Sequence, residues 1–379
     1  MQPSGRTLDP GGDLPVFGSV DAELHDGPVE ALWDLWADLY RDRPEATPFM
    51  APGWARPWFA HFGGGAEPFV VVVRDGGVPI GLAPLVRRRK GPLRVLEPVG
   101  MDPGDYWDVL ARPGRAREVA GAAAALLAER AGDWDAWILR CPAPESPVVP
   151  ALRASPLRSL VRPAIPAPAI ELPGDVDAYL ASLSSSHRQN LRKHLRRLDR
   201  GEVELDDVTD PARLPELVER WQAFRRRQWE AAGKEINPAH LHPRFAAFML
   251  DCLRELLPAG LASAWEFRVD GRVVGTYLNL ADATAYHWYL GGFDPAVTKL
   301  GLGKIAIGHG IRTSIEAGRA RYDFGRGAEP YKYWYGAVDR PLAARVVASE
   351  RPRSLLAVAG ARAAIAWRAR REAAVTPPG

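Results

Sequence analysis

Two Asp-Gly turns constrain the fold of this chain more than any other feature. Asp75-Gly76 and Asp270-Gly271 each follow a run of strand-forming residues and precede another. An Asp-Gly pair in that setting is typical of a two-residue β-hairpin turn. Each return strand also carries a glycine, Gly81 in the first and Gly275 in the second. The pattern therefore predicts two similar hairpins about half a chain apart.

The elements around the two hairpins also follow one order. Two helices are predicted before each hairpin, and a third strand and a long helix after it. The predicted helices cover residues 29–40, 54–62 and 116–131 in the first half, and 214–231, 243–257 and 301–318 in the second. A shared order of elements indicates an internal duplication. The 379 residues are also enough for two domains. We therefore predict an α/β (α+β) fold of two related halves, with mixed, mostly antiparallel sheets flanked by helices.

Proline spacing suggests where the halves meet. Pro163, Pro166 and Pro168 lie in a proline-rich stretch, and the neighbouring isoleucines predict that part of it is an edge strand. The predicted division is a flexible leader at 1–26, an N-terminal half at 27–160, a crossover at 161–185, a C-terminal half with the active site at 186–350, and a C-terminal helix and tail at 351–379.

Composition excludes several classes of protein. The formal net charge of +3 is too small to favour general nucleic-acid binding. Cys141 and Cys252 are far apart, which argues against a disulfide framework or a zinc site and for a reducing compartment such as the cytoplasm. No secretory signal pattern or membrane-spanning apolar run is seen. No P-loop or metal-ligand motif occurs either, so we expect no metal and no stable membrane insertion.

The segment from Tyr322 to Gly336 holds the densest group of reactive residues. Asp323 and Glu329 are candidates for a general base that deprotonates an amine, and Tyr331 for the acid that protonates a leaving group. Arg326 and Lys332 can hold an anionic substrate group, or pair with the two carboxylates. The alternative is a structural ion-pair network in an irregular loop.

This segment resembles one branch of the GNAT acetyltransferases. The residues that match its Asp-Phe-x-Arg-Gly-x-Glu-x-Tyr-Lys pattern are Asp323, Phe324, Arg326, Gly327, Glu329, Tyr331 and Lys332. The branch is associated with cellulose and exopolysaccharide biosynthesis and is related to the Fem peptidyl-transferases. Weaker matches extend the resemblance over residues 30–350, including Asp105 and Tyr106. The resemblance implies a tandem pair of GNAT-like folds, with acetyl-CoA or another acyl-CoA as co-substrate.

In that family a glycine-rich helix start receives the pyrophosphate of acyl-CoA, through backbone N–H groups and the helix dipole. The family signature has Arg or Gln, two residues, Gly, any residue, then Gly or Ala. Gly301 and Gly303 match it, whereas Thr298 stands at the first position. The predicted cofactor-binding residues are therefore Lys299, Leu300, Gly301, Leu302, Gly303 and Lys304. The alternative is a glycine-rich helix start that binds nothing.

Two further regions could contribute to binding. On the third strand of the second half, alternation places Tyr286 and Trp288 on one face and His287 and Tyr289 on the other. Tyr289, with Asp105 and Tyr106 after a Pro-Gly turn, is predicted to bind substrate. The basic helix at residues 186–200 is by default a solvated surface, and its functional interpretation is contact with a phosphorylated partner.

Three hypotheses follow. The first is transfer of an acyl group, with acetyl favoured, from acyl-CoA to an amine of a small molecule or of a sugar or cell-envelope precursor. The second keeps the fold but uses an aminoacyl-tRNA donor, as Fem-like enzymes do; nucleic acid is expected as a partner only in this case. The third is a non-catalytic binding module in polysaccharide assembly.

Overall fold

A computed structural model describes residues 20–25, 27–233 and 238–375, and the side chains up to residue 363 with the exception of 238. Most of the predicted leader lies outside the described residues. Its segment Val20–His25 is a strand, β1, which pairs antiparallel with Val70–Asp75. The described structure of the first half thus begins before the predicted boundary at residue 27.

Seventeen strands occur in the described part of the chain. In chain order they are β1 Val20–His25, β2 Ala66–Pro68, β3 Val70–Asp75, β4 Val78–Ala83, β5 Leu85–Lys90, β6 Leu93–Pro98, β7 Leu110–Ala111, β8 Ala136–Leu139, β9 Arg158–Val161, β10 Pro168–Glu171, β11 Glu204–Asp207, β12 Ala262–Val269, β13 Arg272–Ala281, β14 Ala285–Phe293, β15 Arg321–Asp323, β16 Val338–Asp339 and β17 Arg345–Ala348.

The same residues form twelve α-helices. They are α1 Trp33–Arg41, α2 Pro52–Phe62, α3 Ala116–Glu129, α4 Val148–Ala154, α5 Val176–Ser182, α6 Ser185–Asp199, α7 Leu214–Ala231, α8 Pro238–Leu241, α9 Pro243–Leu256, α10 Leu302–Glu316, α11 Pro330–Tyr333 and α12 Pro352–Val375. No helix in the described part of the chain is long and apolar enough to span a membrane.

The C-terminal half is built on one seven-stranded sheet with the order β11-β12-β13-β14-β15-β10-β16. Neighbouring strands in this sheet are antiparallel, except that β14 and β15 are parallel to each other. That parallel pairing covers only Ala285–His287 of β14, although β14 continues to Phe293. The sheet therefore opens beside the second part of β14. The predicted edge strand in the crossover is wrong in one respect, because β10 lies inside the sheet, between β15 and β16.

The N-terminal half divides its strands between two sheets, β1-β3-β4-β7 and β2-β5-β6-β8-β17-β9. The single return strand predicted at residues 78–86 is two strands, which separate at Pro84 and join different sheets. Proline has no N–H for a sheet ladder and so ends β4. Its carbonyl instead accepts hydrogen bonds from Trp107 Nε1 and Val99 N.

Two features join the halves. Strand β17, from the end of the second half, lies between β8 and β9 in a sheet of the first half. Helices α2 and α9 also pack together, with Trp54 edge-on to Phe248 at 4.9 Å between ring centroids. One apolar core therefore runs through both halves, while a second core belongs to the C-terminal half and includes Tyr322 and Ile305.

Candidate active site

A large cavity of about 1170 Å³ lies where the sheet of the C-terminal half opens. Its walls come from β14, α7, the start of α10 and the loop after β15, and a loop of the N-terminal half closes one side. The predicted site residues that line it are Asp105, Tyr289, Gly301, Leu302, Gly303, Lys304, Arg326, Glu329, Tyr331 and Lys332. The structure thus brings together residues from distant parts of the sequence.

The start of α10 is held in place by the basic helix α6. Gly301 has a left-handed φ of 71°, and a Cβ there would lie 2.4 Å from His194 Cε1. Arg197 donates to the carbonyl of Leu300 at 2.7 Å, and His194 Nδ1 lies 3.2 Å from the same oxygen. Part of the basic helix therefore has a structural task, which is to fix the loop that precedes α10.

The first turn of α10 is open toward the cavity. A Cβ on Gly303 would meet only the Tyr277 hydroxyl oxygen, at 3.9 Å. The N–H groups of Leu302 and Gly303 precede the first hydrogen bonds of the helix, and Lys304 lies beside them. An anion at this position would accept hydrogen bonds from the backbone N–H groups and would be attracted by the helix dipole and by the charge of the lysine.

Two of the predicted cofactor-binding residues do not line the cavity. Lys299 is exposed to solvent, and Leu300 packs against the second core. Both precede the left-handed turn at Gly301, and the residues that line the cavity begin at that glycine. Thr298 closes its own turn, since its hydroxyl donates to the carbonyl of Pro295 at 2.6 Å.

The exposed edge of β14 forms another wall. Residues Trp288 to Gly291 and Phe293 line the cavity. A Cβ on Gly291 would lie 2.5 Å from the Tyr277 ring, so only glycine lets that ring lie flat on the strand. The predicted alternation is confirmed: Tyr286 and Trp288 pack with the second core, while Tyr289 contacts the first and donates to Pro103 O at 2.8 Å.

The loop after β15 is wrapped around one buried ammonium group. Lys332 Nζ donates to the carbonyls of Arg326 and Gly327, both at 2.9 Å, and lies 2.8 Å from Glu329 Oε2. Gly327 has a φ of 107°, which allows its carbonyl to face the lysine. Lys332 was predicted to bind substrate, but its donors are used inside the loop.

Arg326 connects the loop to the N-terminal half. Its Nε donates to Asp105 Oδ1 at 2.6 Å, and another guanidinium nitrogen donates to Asp102 O at 3.3 Å. Gly325 makes this approach possible, because a Cβ there would lie 2.3 Å from the Asp105 carboxylate. The predicted substrate residues Arg326 and Asp105 therefore form an ion pair across the two halves.

Glu329 and Tyr331 are the predicted catalytic residues that face the cavity. The Glu329 side chain keeps about half of its surface exposed despite its pairing with Lys332. Burial, and then the charge of Glu329, raise the pKa of the Tyr331 hydroxyl to about 12. Tyr331 is thus protonated at neutral pH and can donate a proton, while Glu329 offers a carboxylate.

Asp323 and Tyr106 lie behind the cavity wall. Asp323 is 2% exposed and accepts hydrogen bonds from the Tyr106 hydroxyl at 2.7 Å and from Gly325 N at 2.7 Å. Burial raises the pKa of this carboxyl, although nearby His287 opposes the shift. Asp323 is the last residue of β15 and is paired with His287 of β14, in the part of the sheet where the two strands are still adjacent. From this position its carboxylate binds the hydroxyl of Tyr106, which belongs to the N-terminal half.

Several residues around the cavity were missed by sequence reasoning. Arg225 of α7, His240 of α8 and Trp334 after α11 all line it. In the sequence, Arg225 to Arg227 form a short basic run, and charge alone does not show which of the three faces inward. Helical spacing from the buried Trp221 could have identified Arg225 as the inward member, since it lies one turn further along the same face.

Comparison with known proteins agrees with this architecture. Residues 185–333 match the sequence model of the Acetyltransferase (GNAT) domain family, and this segment accordingly has the GNAT fold. It contains the α10 start, the open edge of β14 and the loop that carries Glu329 and Tyr331. A search of curated proteins gives no match.

Among solved structures, FemX superposes with a TM-score of 0.60 at 10% identity, over 83% of this chain and 95% of FemX. The C-terminal domain of a putative lysylphosphatidylglycerol synthetase from Agrobacterium fabrum gives a TM-score of 0.53 at 10% identity, over 88% of this chain and 97% of that one. At such identities the likeness establishes the fold only. The expected mixed α/β architecture is thereby confirmed, and the GNAT fold is shown for residues 185–333.

Proposed function

We propose that this protein is an N-acyltransferase that moves an acyl group, with acetyl the first candidate, from acyl-CoA to an amine of a small molecule or of a sugar or cell-envelope precursor. The observation that carries the proposal is the convergence of three features on one cavity. These are the open start of α10, the edge of β14 that has no neighbouring strand among the described residues, and the loop with Glu329 and Tyr331.

The residues present fit an acyl-CoA. The open space above Gly303 leaves room for a pyrophosphate against the backbone, and Lys304 adds a positive charge. Although Thr298 departs from the family signature, the task of ordering the loop is met by Arg197 from another helix. The remainder of the acyl-CoA would follow the edge of β14.

The chemistry assigns a task to each group that faces the cavity. The amine must lose a proton before its nitrogen attacks the thioester carbon, and Glu329 is the carboxylate placed to accept it. A backbone N–H of β14 would stabilise the negative charge on the carbonyl oxygen. As the carbon–sulfur bond breaks, Tyr331 can protonate the departing thiolate. Asp323, which the sequence also offered as a base, is assigned here to positioning because Tyr106 and Gly325 occupy its carboxylate.

A thermal-shift screen against acetyl-, succinyl- and longer acyl-CoA esters tests the donor. A ligand present at about 100 times its Kd should stabilise the fold by about 2.7 kcal/mol, which gives a shift of a few degrees. Once an acceptor has been identified, Glu329→Gln is expected to lower kcat by about 100-fold or more. Asp323→Asn is expected to lower kcat much less. The absence of a shift with every ester would contradict the proposal.

The alternative donor is an aminoacyl-tRNA, and one observation favours it. The exposed face of α6 carries Arg192, Lys193 and Arg196. Next to it, a groove lined by His187, Asn190 and Lys304 reaches the same Trp334 that lines the main cavity. Sensitivity of the activity to ribonuclease in a lysate would support this donor. Activity with purified acyl-CoA alone would exclude any need for it.

The association with exopolysaccharide biosynthesis is part of the proposal and is supported by the motif from Asp323 to Lys332. A non-catalytic module in the same setting would show ligand binding that Glu329→Gln leaves unchanged, together with no turnover of any amine.

A further inference from the structure

The charges around the cavity are unevenly matched. Each acidic side chain that lines it already has a cationic partner: Asp102 pairs with Arg140, Asp105 with Arg326, and Glu329 with Lys332. Three lining cations, Arg225, Arg244 and Lys304, have no carboxylate within 4 Å among the residues that the structure describes. The described walls therefore carry excess positive charge.

Arg225 differs from the other two cations in its surroundings. Lys304 belongs to the helix start assigned to the donor, and Arg244 is exposed to water. Arg225 is half-buried, and its guanidinium carbon lies 4.7 Å from the centre of the Trp229 ring. Burial is the main cause that lowers the pKa of this guanidinium, and no ion pair among the described residues compensates it.

The backbone brings Arg225 close to the reaction centre. A Cβ on Gly292 of β14 would lie 3.2 Å from Arg225 N, so the glycine lets α7 pack directly on the open strand. Glu329 and Tyr331 are among the groups that interact electrostatically with the Arg225 side chain. The cation therefore shares its part of the cavity with the proposed base and acid.

The contact with Trp229 leaves the guanidinium N–H groups without a hydrogen-bond acceptor among the described residues. An arginine fork matches the two oxygens of a carboxylate or phosphate and binds them with paired hydrogen bonds. His240 lies nearby with a buried Nδ1 that has no hydrogen-bond partner among the described residues. Because this nitrogen is enclosed by the protein, the Arg225 guanidinium is the polar group at this place that lines the cavity and remains without an anionic partner among the described residues.

We propose that Arg225 is the specificity determinant for the acceptor, and that the acceptor is an amine bearing an oxyanion, a carboxylate or a phosphate, a short distance from its nitrogen. This rests on the proposed function, because it supposes that an amine is the acceptor. The oxyanion binds the Arg225 guanidinium and directs the amine toward Glu329.

The test measures binding without donor and without turnover. Saturation-transfer NMR compares matched probes: glycine with glycinamide, L-phenylalanine with its amide, and phosphoethanolamine with ethanolamine. The wild type should bind the anionic member of at least one pair about tenfold more tightly, as expected for a hydrogen-bonded charge pair. The pair that shows the preference distinguishes a carboxylate from a phosphate.

Three variants assign the effect. Arg225→Gln should abolish the preference, and Arg225→Lys should retain part of it because the charge remains without the planar fork. Arg226→Gln, which makes the same change at an exposed neighbour on α7, should behave as wild type.

The proposal is overturned if the wild type shows no preference in any pair, or if Arg225→Gln keeps it. Acetyl-CoA is titrated separately into each protein, so that a loss of donor binding is detected independently of acceptor binding. If Arg225→Gln loses acetyl-CoA binding while Arg226→Gln does not, Arg225 serves the donor and the assignment to the acceptor is wrong.

Discussion

The two halves share a close contact between a strand and a helix, and they differ at the start of that helix. In each half the glycine of the hairpin's return strand lies beneath the following long helix. A Cβ on Gly81 would lie 2.4 Å from Val119 of α3, and one on Gly275 would lie 3.3 Å from Leu302 of α10. The shared glycine thus has one physical purpose, which is the close approach of helix to strand, and this supports a duplicated unit.

The difference lies at the start of that helix. In the C-terminal half α10 begins at two glycines and faces a cavity. In the N-terminal half α3 begins beside Arg115, which is paired with Asp75 and Glu118. The position that is open to a ligand in one half is closed by ion pairs in the other. The N-terminal half therefore acts as a wall and a support, and the C-terminal half holds the candidate chemistry.

The largest effect should come from breaking the shared sheet. A chain that ends after residue 344 lacks β17 and leaves β8 and β9 without their common neighbour. Loss of a central strand exposes two sheet edges and part of the core, so this protein should be insoluble or unfolded. A chain that ends after residue 363 keeps β17 and should remain folded by circular dichroism. Equal folding of both would show that the halves are independent.

The two return-strand glycines should differ in their tolerance of a side chain. Gly81→Ala places a methyl group against Val119 and 2.7 Å from the backbone oxygen of Leu110, which overpacks the core. It should lower the free energy of unfolding by about 1–3 kcal/mol. Gly275→Ala meets the end of a flexible leucine and should cost less than about 1 kcal/mol. Urea denaturation of both variants measures the difference, and equal losses would contradict it.

The smallest effect should appear in the pH dependence of stability. Burial raises the pKa of Asp323 in the folded state above its unfolded value, so the folded protein holds more protons between the two. The contribution of Asp323 to the free energy of unfolding should therefore fall as pH rises from about 4, where the unfolded carboxyl titrates. Asp323→Asn should remove this slope.

The titration of neighbouring groups limits the pH range over which the effect of Asp323 on stability can be measured. Although burial opposes the shift, the hydrogen bond that His287 donates to the Asp282 carboxylate raises the pKa of His287, and this also lowers stability as pH rises above about 6.5. The comparison of Asp323→Asn with wild type is therefore made between about pH 4 and 6. Tyr106→Phe removes a hydrogen bond to the carboxylate and should steepen the slope. Identical slopes in wild type and Asp323→Asn would contradict this description of the contact between the halves.

Local sequence patterns predicted the longer helices and most strands, but not the short helices α4, α5, α8 and α11, because periodicity is seen only over several turns. They did not predict that β17 returns to the first half, since strand pairing is a long-range choice. The motif from Asp323 to Lys332 predicted a segment of which several members line the cavity, but charge type alone could not separate those members from the buried ones. Burial turned Lys332 and Asp323 inward, and packing through Gly292 turned Arg225 toward the cavity.

Calorimetric titration of acetyl-CoA into wild type, Gly303→Asp and Gly121→Asp tests the central claim most directly. Gly303→Asp adds a negative charge where the donor's pyrophosphate is expected, and the site has room for the side chain. Gly121→Asp makes the same change on an exposed position of α3 in the other half. We predict that wild type and Gly121→Asp bind alike and that Gly303→Asp binds at least about tenfold more weakly, a loss of about 1.4 kcal/mol or more. Equal binding by all three, or no binding by the folded wild type, would contradict the assignment of the donor site to the start of α10.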